Sequence, residues 1–326
     1  MEKNSSPKII ISLMGGLGNQ MFQYSLYKWF LFKGCNAFLD AHRYNLSNIP
    51  SHEKVKLHYF DIKDIRLIDF KEASKYIDFA FIYKFKLLFN LNLSVFSIFK
   101  AIILKIYRKI TRFLLIKPGT LNCFVTEKPK EGFGCIKNLR IKSNTYIYGT
   151  FTYSEPLEDI KQSLINDFSF NKDLPSDIKF LIKGIKQKES VAIHVRRGDF
   201  AGDKIRDVCS LNYYRNAAQY LTSKHSDLVF YIFSNDAEYI KANFFFLGNY
   251  SIIDNSSFEH PDYFDLFLMT QVKYLIISNS TFSYWGAWLN QNQEKIVIAP
   301  EKYHLDNSWV PPEELYPASW IKMAVD

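Results

Sequence analysis

Apolar and polar positions fall into blocks along this chain, and the blocks repeat in a fixed order. Lys8 to Met14 (KIIISLM) is an unbroken apolar run rich in β-branched side chains, the pattern of a strand covered on both faces. Gly15 to Gln20 (GGLGNQ) reads as a turn, and from about Met21 to Phe32 the residues Phe22, Leu26, Trp29 and Phe30 recur at helical spacing. Asn36 to Asp40 (NAFLD) is a second strand, which completes one βαβ unit. The later half repeats the theme. Val191 to Asp199 (VAIHVRRGD) begins as a buried strand and runs out into charged residues, and a helix follows over Asn212 to Ser223. Leu228 to Ser234 (LVFYIFS), Ser251 to Asp254 (SIID), Tyr274 to Ser278 (YLIIS) and Lys295 to Ala299 (KIVIA) are further strands. Helices are expected after Asn235-Asp236, over Asp262 to Gln271 and over Ser283 to Asn290. The alternation predicts an α/β protein with parallel sheets covered on both faces. Two Rossmann-like domains, residues 1–180 and 181–326, with a cleft between them fit this pattern best, and the boundary falls near Lys172 to Glu189.

One stretch departs from the pattern. Around residues 76–117 the chain carries many lysines and arginines, and from Phe79 to Lys117 it has no acid. Phe99, Ile102, Ile103, Ile106, Ile110 and Phe113 share one helical face there, while Lys105, Arg108, Lys109 and Arg112 share another. Such a helix lies on an anionic membrane surface, or it packs its apolar face on the first domain; both readings stand. This segment accounts for most of the net charge of +8, so the basicity does not argue for a nucleic-acid partner, and no nucleic-acid-binding motif accompanies it. Apolar residues make up 48% of the chain, which excludes disorder. Cys35, Cys123, Cys135 and Cys209 have neither zinc-ligand nor disulfide-frame spacing and read as core residues in a reducing compartment. The first apolar run is too short for a signal peptide, and no uninterrupted stretch of 18 apolar residues spans a membrane. A cytoplasmic protein, with peripheral contact at the inner face of the membrane, is the expectation.

The chemistry concentrates where strands end. Arg196 and Arg197, followed by Gly198 and Asp199, stand at the carboxyl end of a strand, where open α/β sheets bind ligands. Guanidinium forks match phosphate oxygens two at a time and stay charged at any physiological pH. After the strand YLIIS, Asn279-Ser280-Thr281-Phe282-Ser283 opens another helix, and its free N–H groups favour an anion. Two such loops at one sheet edge describe a diphosphate clamp. Asp236 and Asp265 add carboxylates that suit the N1–H and amine of guanine, although Asp236 serves equally as a helix cap. The glycine loop, with Gly16, Gly18 and the acid Asp40, imitates a dinucleotide fingerprint, but Met21 occupies the third glycine position and argues against a nicotinamide enzyme. The loop reads better as a tight turn that brings backbone N–H groups, Asn19 and Gln20 to a ligand. No Asp-x-Asp triplet occurs, so the cations for a leaving diphosphate are the arginines and a helix end rather than a metal. Asp199 is a candidate general base or an orienting partner for the arginines, with Asp203 a second choice of base.

Three motifs together, GGLGNQMFQY (Gly15 to Tyr24), HVRRGD (His194 to Asp199) and NSTFSYWGAWL (Asn279 to Leu289), resemble the bacterial α-1,2-fucosyltransferases of glycosyltransferase family 11. FSNDAEYIK and DLFLMTQVKYLIISNS resemble the family in order and spacing. The resemblance covers most of the chain outside about Tyr76 to Lys117. It implies a GT-B architecture, GDP-fucose as donor, a galactoside-containing glycan as acceptor, inversion at the anomeric carbon and no metal or other cofactor. Carried over, Arg196 and Arg197 hold the β-phosphate, His194 and Asp265 contact the guanosine, and Ser280, Thr281 and Ser283 contact the diphosphate. Gly16, Gly18, Asn19, Gln20 and Tyr153 face the cleft. One departure concerns the acceptor: within Tyr148 to Ser154 (YGTFTYS), Thr152 and Tyr153 stand where the family tends to have Trp-Gln.

Overall fold

The computed structural model describes residues 6–45, 55–76, 124–127, 132–170, 173–306 and 309–326. The Ile9-Ile10-Ile11 run forms strand β1 (Lys8–Ser12). It pairs in parallel with β2 (Asn36–Asp40) on one side and with β4 (Thr145–Tyr148) on the other, and β3 (Phe124–Thr126) flanks β4. The first sheet is therefore β2-β1-β4-β3. Six further strands, β5 (Glu189–Val195), β6 (Leu228–Ser234), β7 (Tyr250–Ile253), β8 (Tyr274–Ile276), β9 (Ile296–Pro300) and β10 (Ile321–Met323), make a second parallel sheet. Its order is β10-β9-β8-β5-β6-β7. These strands are near-continuous apolar runs because both faces of a parallel sheet are covered. The two-sheet α/β architecture is the one the alternation predicts.

Six helices matter for the site: α1 (Leu17–Phe32), α2 (Ser176–Lys186), α3 (Leu211–Thr222), α4 (Ala237–Asn243), α5 (Pro261–Met269) and α6 (Thr281–Leu289). Helix α2 occupies the stretch between residues 172 and 189 and buries Ile178 and Ile185. The predicted membrane-facing or domain-packed basic helix lies outside the described residues. Among those residues no helix is long and apolar enough to cross a membrane.

Helix α1 starts at Leu17, four positions before the predicted Met21, so Gly18, Asn19 and Gln20 belong to its first turn and not to a loop. They look like turn formers, yet tertiary contacts fix them. Gln20 is fully buried; it donates to the Gly15 carbonyl (3.0 Å) and accepts from the Lys56 N–H (2.8 Å). Gly18 lies against α6. A Cβ there would sit 2.5 Å from both the Phe282 nitrogen and the Thr281 carbonyl carbon, so the close approach requires glycine. The two helices run side by side, with Phe22 4.9 Å from Tyr284 and 5.0 Å from Trp285 between ring centres. The Trp285 indole N–H donates to the Gly18 carbonyl at 3.1 Å. One apolar core thus runs from Ile9 and Ile147 of the first sheet through Phe22 and Trp285 to Leu275 and Val297 of the second. A separate core, with Ile193, Ile232 and Ile298 facing Tyr213 and Leu221 of α3, covers the other face of the second sheet.

Candidate active site

The chain steps from β5 to β6 to β7 and then returns to β8 on the other side of β5. The gap between the carboxyl ends of β5 and β8 is therefore the topological switch point, the place where open α/β sheets hold ligands. Both expected anion elements leave from it. Ile193 pairs with Ile276, which puts His194 to Arg197 beside Ile277 to Ser280. His194, 7% exposed, shares a hydrogen bond with Ser278 Oγ through Nδ1 (2.8 Å). Burial, reinforced by the Arg196 charge, pushes its pKa down to about 3, so the ring is neutral at any working pH.

The two arginines engage different partners. Arg196 Nη2 pairs with Asp199 at 2.6 Å, and its guanidinium lies 5.3 Å from the Phe200 ring centre. Arg206 reaches the other Asp199 oxygen (3.0 Å) and Asp203 (2.9 Å). Arg206 and the backbone N–H groups of Ile205 and Arg206 hold the Asp203 carboxyl well below the usual carboxylate range. Both oxygens of Asp199 are thus on guanidinium groups. That geometry fits the orienting role expected from the sequence, and the 52% exposed carboxylate keeps lone pairs free for a further donor, so the base role also stands. Arg197 stacks over Tyr239 (4.1 Å), approaches Asp207 (3.5 Å), and keeps a buried Nε with no hydrogen-bond partner. Its backbone N–H is held by Asn235 (2.9 Å), against which Gly198 turns at φ 59°.

The α6 side differs from the expectation in detail. Ser280 caps the helix by accepting from the Phe282 N–H. The Thr281 hydroxyl donates to Asn19 of the first domain at 2.7 Å. Ser283 is fully buried and donates to the carbonyls of Ser278 and Ser280 (3.3 and 3.2 Å), so it braces the turn and does not face a ligand. Burial and then Glu127 raise the Tyr303 phenol pKa, while the Thr281 backbone and the Arg196 charge act in the opposite direction. Asn279, in the turn before α6, donates to the carbonyls of both Tyr303 and Arg206 (3.0 Å each) and so joins the helix end to the arginine loop.

Three other expected positions settle differently. Asp236 is the cap of α4, accepting from the Tyr239 N–H at 3.0 Å. Tyr153 does not face the cleft: it is fully buried, with its ring 5.5 Å from that of Phe133. Gln20 spends its amide on the backbone, as described, whereas Gly16 caps α1 and Asn19 reaches the α6 turn. Asp265, on α5, accepts from Asn255 at 2.7 Å. Burial pushes its carboxyl up to about 7, with Asp262 and Asp254 adding to the rise and the Asn255 bond opposing it. The sign follows from the raised value: the folded state keeps a proton that the unfolded chain has lost. Stability therefore falls as pH rises from the ordinary carboxylate range to about 7. Asp265→Asn is expected to melt roughly 5 °C higher than the native protein at pH 8, with the gain shrinking toward pH 4. Calorimetry across that range checks it, and a pH-independent difference contradicts the assignment.

Tyr303, Glu127 and Gln23, polar residues near these strand ends, were not singled out by the sequence. Gln23 is a buried amide that joins Met14 to Gly149 (2.9 and 3.0 Å) across the first sheet's edge, and its one sequence signal is a polar residue on an apolar helix face. Among the described residues no group of three or more His, Cys, Asp or Glu could hold a metal ion.

Two parallel sheets whose carboxyl edges meet through α1 and α6, beside an arginine-bearing loop, make this a two-domain α/β fold of the GT-B type. The family model for glycosyl transferase family 11 matches residues 131–324. The chain belongs to that family and is a glycosyltransferase. It is 28% identical over 323 residues to the Escherichia coli O-antigen biosynthesis glycosyltransferase WbnK, covering 95% of this chain and 99% of that protein. It is 28% identical over 330 residues to an E. coli alpha-1,2-colitosyltransferase, covering 97% and 98%. A galactoside alpha-(1,2)-fucosyltransferase 1 of Lagothrix lagotricha is 25% identical over 163 residues, 49% of this chain and 42% of that protein. An Arabidopsis thaliana FUT1 mutant solved with GDP superposes with a TM-score of 0.45 at 13% identity, covering 98% of this chain and 77% of that one.

Proposed function

We propose that this glycosyltransferase moves fucose from GDP-fucose to a hydroxyl, O2, of a terminal β-galactoside in a surface glycan, with inversion and without a metal. One observation carries the reading. Arg196 and the amino end of α6 leave adjacent strands at the switch point, so a guanidinium and a helix end share one edge. In the transfer, the acceptor oxygen attacks the anomeric carbon as its proton passes to a carboxylate such as Asp199 or to water, and the bond from that carbon to the β-phosphate oxygen breaks. The leaving GDP takes the electron pair, and the gathered positive charge meets it. Asp199 and Arg206 hold Arg196 in place for that contact. Asp265, once ionised, offers two acceptor oxygens to the guanine edge, at the cost of the desolvation that raises its pKa.

Support for an α-1,2 linkage comes from the named relatives. The colitosyltransferase likeness favours a second reading in which the donor sugar is colitose, which lacks one hydroxyl of fucose. A site that hydrogen-bonds that hydroxyl would reject the deoxy sugar strongly, so the two readings separate cleanly. Incubation with GDP-fucose or GDP-colitose and a panel of β-galactosides in EDTA is expected to give an α-1,2-linked product from one donor. Failure to release GDP from either donor, or a strict need for a divalent ion, overturns the proposal.

A further inference from the structure

A buried carboxylate on the first domain has no part in the donor site. Glu127 follows β3 and is 4% exposed. Its two oxygens accept from the backbone N–H groups of Phe151 (2.8 Å) and Thr150 (2.9 Å). A carboxyl group this far from water is tolerated because both of its oxygens accept from fixed donors. What it holds is unusual: Phe151 has φ 56°, a left-handed conformation that a bulky residue adopts only where its surroundings enforce it. Gly149, next in the same turn, has no room for a side chain, since a Cβ would stand 2.6 Å from that of Glu127.

This turn leaves β4 at the first sheet's carboxyl edge and reaches the second domain. Thr152 accepts from the Trp309 indole N–H at 3.1 Å. Trp309 is one of three partly exposed rings, with Tyr303 at 6.3 Å (interplanar 21°) and His304 at 5.1 Å between centres. The Tyr303 carbonyl accepts from Asn279, in the turn before α6, at 3.0 Å, and the same amide donates to the Arg206 carbonyl at 3.0 Å. The aromatic group thus stands beside the proposed leaving-group site, on the side of the first domain. Ring faces carry the negative part of the aromatic quadrupole and receive the C–H face of a pyranose, while nearby polar groups orient its hydroxyls.

We propose that Glu127 is a positioning residue for the acceptor: it fixes the Gly149–Thr152 turn, which through Trp309 sets the Tyr303, His304 and Trp309 wall against which a hexopyranose lies. The proposal rests on the transferase reading for its ligand class, and its test does not depend on the donor. Glu127→Gln keeps the size of the side chain but sets an amide N–H against one of the two backbone donors. Calorimetric titration is expected to show at least 10-fold weaker binding of a β-galactoside, with GDP affinity unchanged within about twofold. Acceptor KM is expected to rise in parallel with whichever GDP-sugar supports transfer. Trp309→Phe keeps a ring and loses only the bond to Thr152; it is expected to weaken galactoside binding in the same selective way, and it covers the case in which Glu127→Gln does not fold. Unchanged galactoside affinity in a folded variant, equal weakening of GDP, or native protein that binds no galactoside with or without GDP overturns the proposal. Galactoside binding that depends on Glu127 in a protein inactive with both donors leaves this inference standing and removes the donor reading instead.

Discussion

Arg196→Ala is expected to lower turnover by ~10²–10³ while leaving the melting temperature within about 1–2 °C of the native value. The first part follows from position. Arg196 leaves β5 at the switch point, its charge is felt by both His194 and Tyr303, and Asp199 aims it. A pre-organised cation of this kind acts on charge that develops only as the nucleotide leaves, so its loss falls on turnover more than on ground-state binding. The second part follows from exposure. The Arg196 side chain is 32% exposed and Asp199 is 52% exposed, and an ion pair so open to water contributes little to folding. Initial rates at saturating donor, with a thermal melt of the same preparation, check both parts. A variant with native turnover would take the guanidinium away from the leaving group.

Gly18→Ala is expected to do the reverse, losing stability first and activity with it. The added methyl meets backbone atoms of Thr281 and Phe282 at 2.5 Å, and backbone cannot rotate aside as a flexible side chain can. Relief requires α1 and α6 to separate, which strains the Asn19–Thr281 bond, the Trp285 indole bond and the Phe22 ring contacts together. Overpacking of this sort destabilises by ~1–3 kcal/mol, a fall of roughly 1.5–4.5 °C in melting temperature for a chain of this size. Gly184→Ala is the control. Gly184 lies within α2, has nothing within 4 Å of its would-be Cβ, and gains helix propensity on substitution, so it is expected to melt slightly higher. Equal behaviour of the two alanine variants would remove the close contact as the reason for glycine at position 18.

The second sheet was readable from the chain nearly strand by strand. β6 has its predicted bounds, and β5, β7, β8 and β9 lie within a few residues of theirs, because a parallel strand covered on both faces is an apolar run between polar breaks. β3 (FVT), β4 (TYIY) and β10 (IKM) were not anticipated: each is short and includes a polar residue, whereas the equally short β8 sits in the apolar run YLII. The early start of α1 was hidden by Gly18, Asn19 and Gln20, which are turn formers by local preference and helical through distant contacts. At the site, the strand-end position of Arg196 and the cap at Ser280 were legible because both are local patterns. The inward turn of Ser283 and the hold of Glu127 on the 149–152 turn were not, since each is decided by partners elsewhere in the fold. Asp236 shows the ambiguity plainly: the same aspartate fits a base-recognising acid and a helix cap, and the Tyr239 N–H takes it.

The shared seam between α1 and α6 bears on how members of this family can be recombined. Grafting the first half of one relative onto the second half of another brings together surfaces shaped in different parents. A graft cut between the two sheets keeps each one whole and still mismatches the joint, unless positions 18, 19 and 22 travel with 281, 284 and 285. New acceptor preferences are therefore better sought by exchanging the short 149–152 turn together with residues 303–309 than by trading whole halves of the molecule.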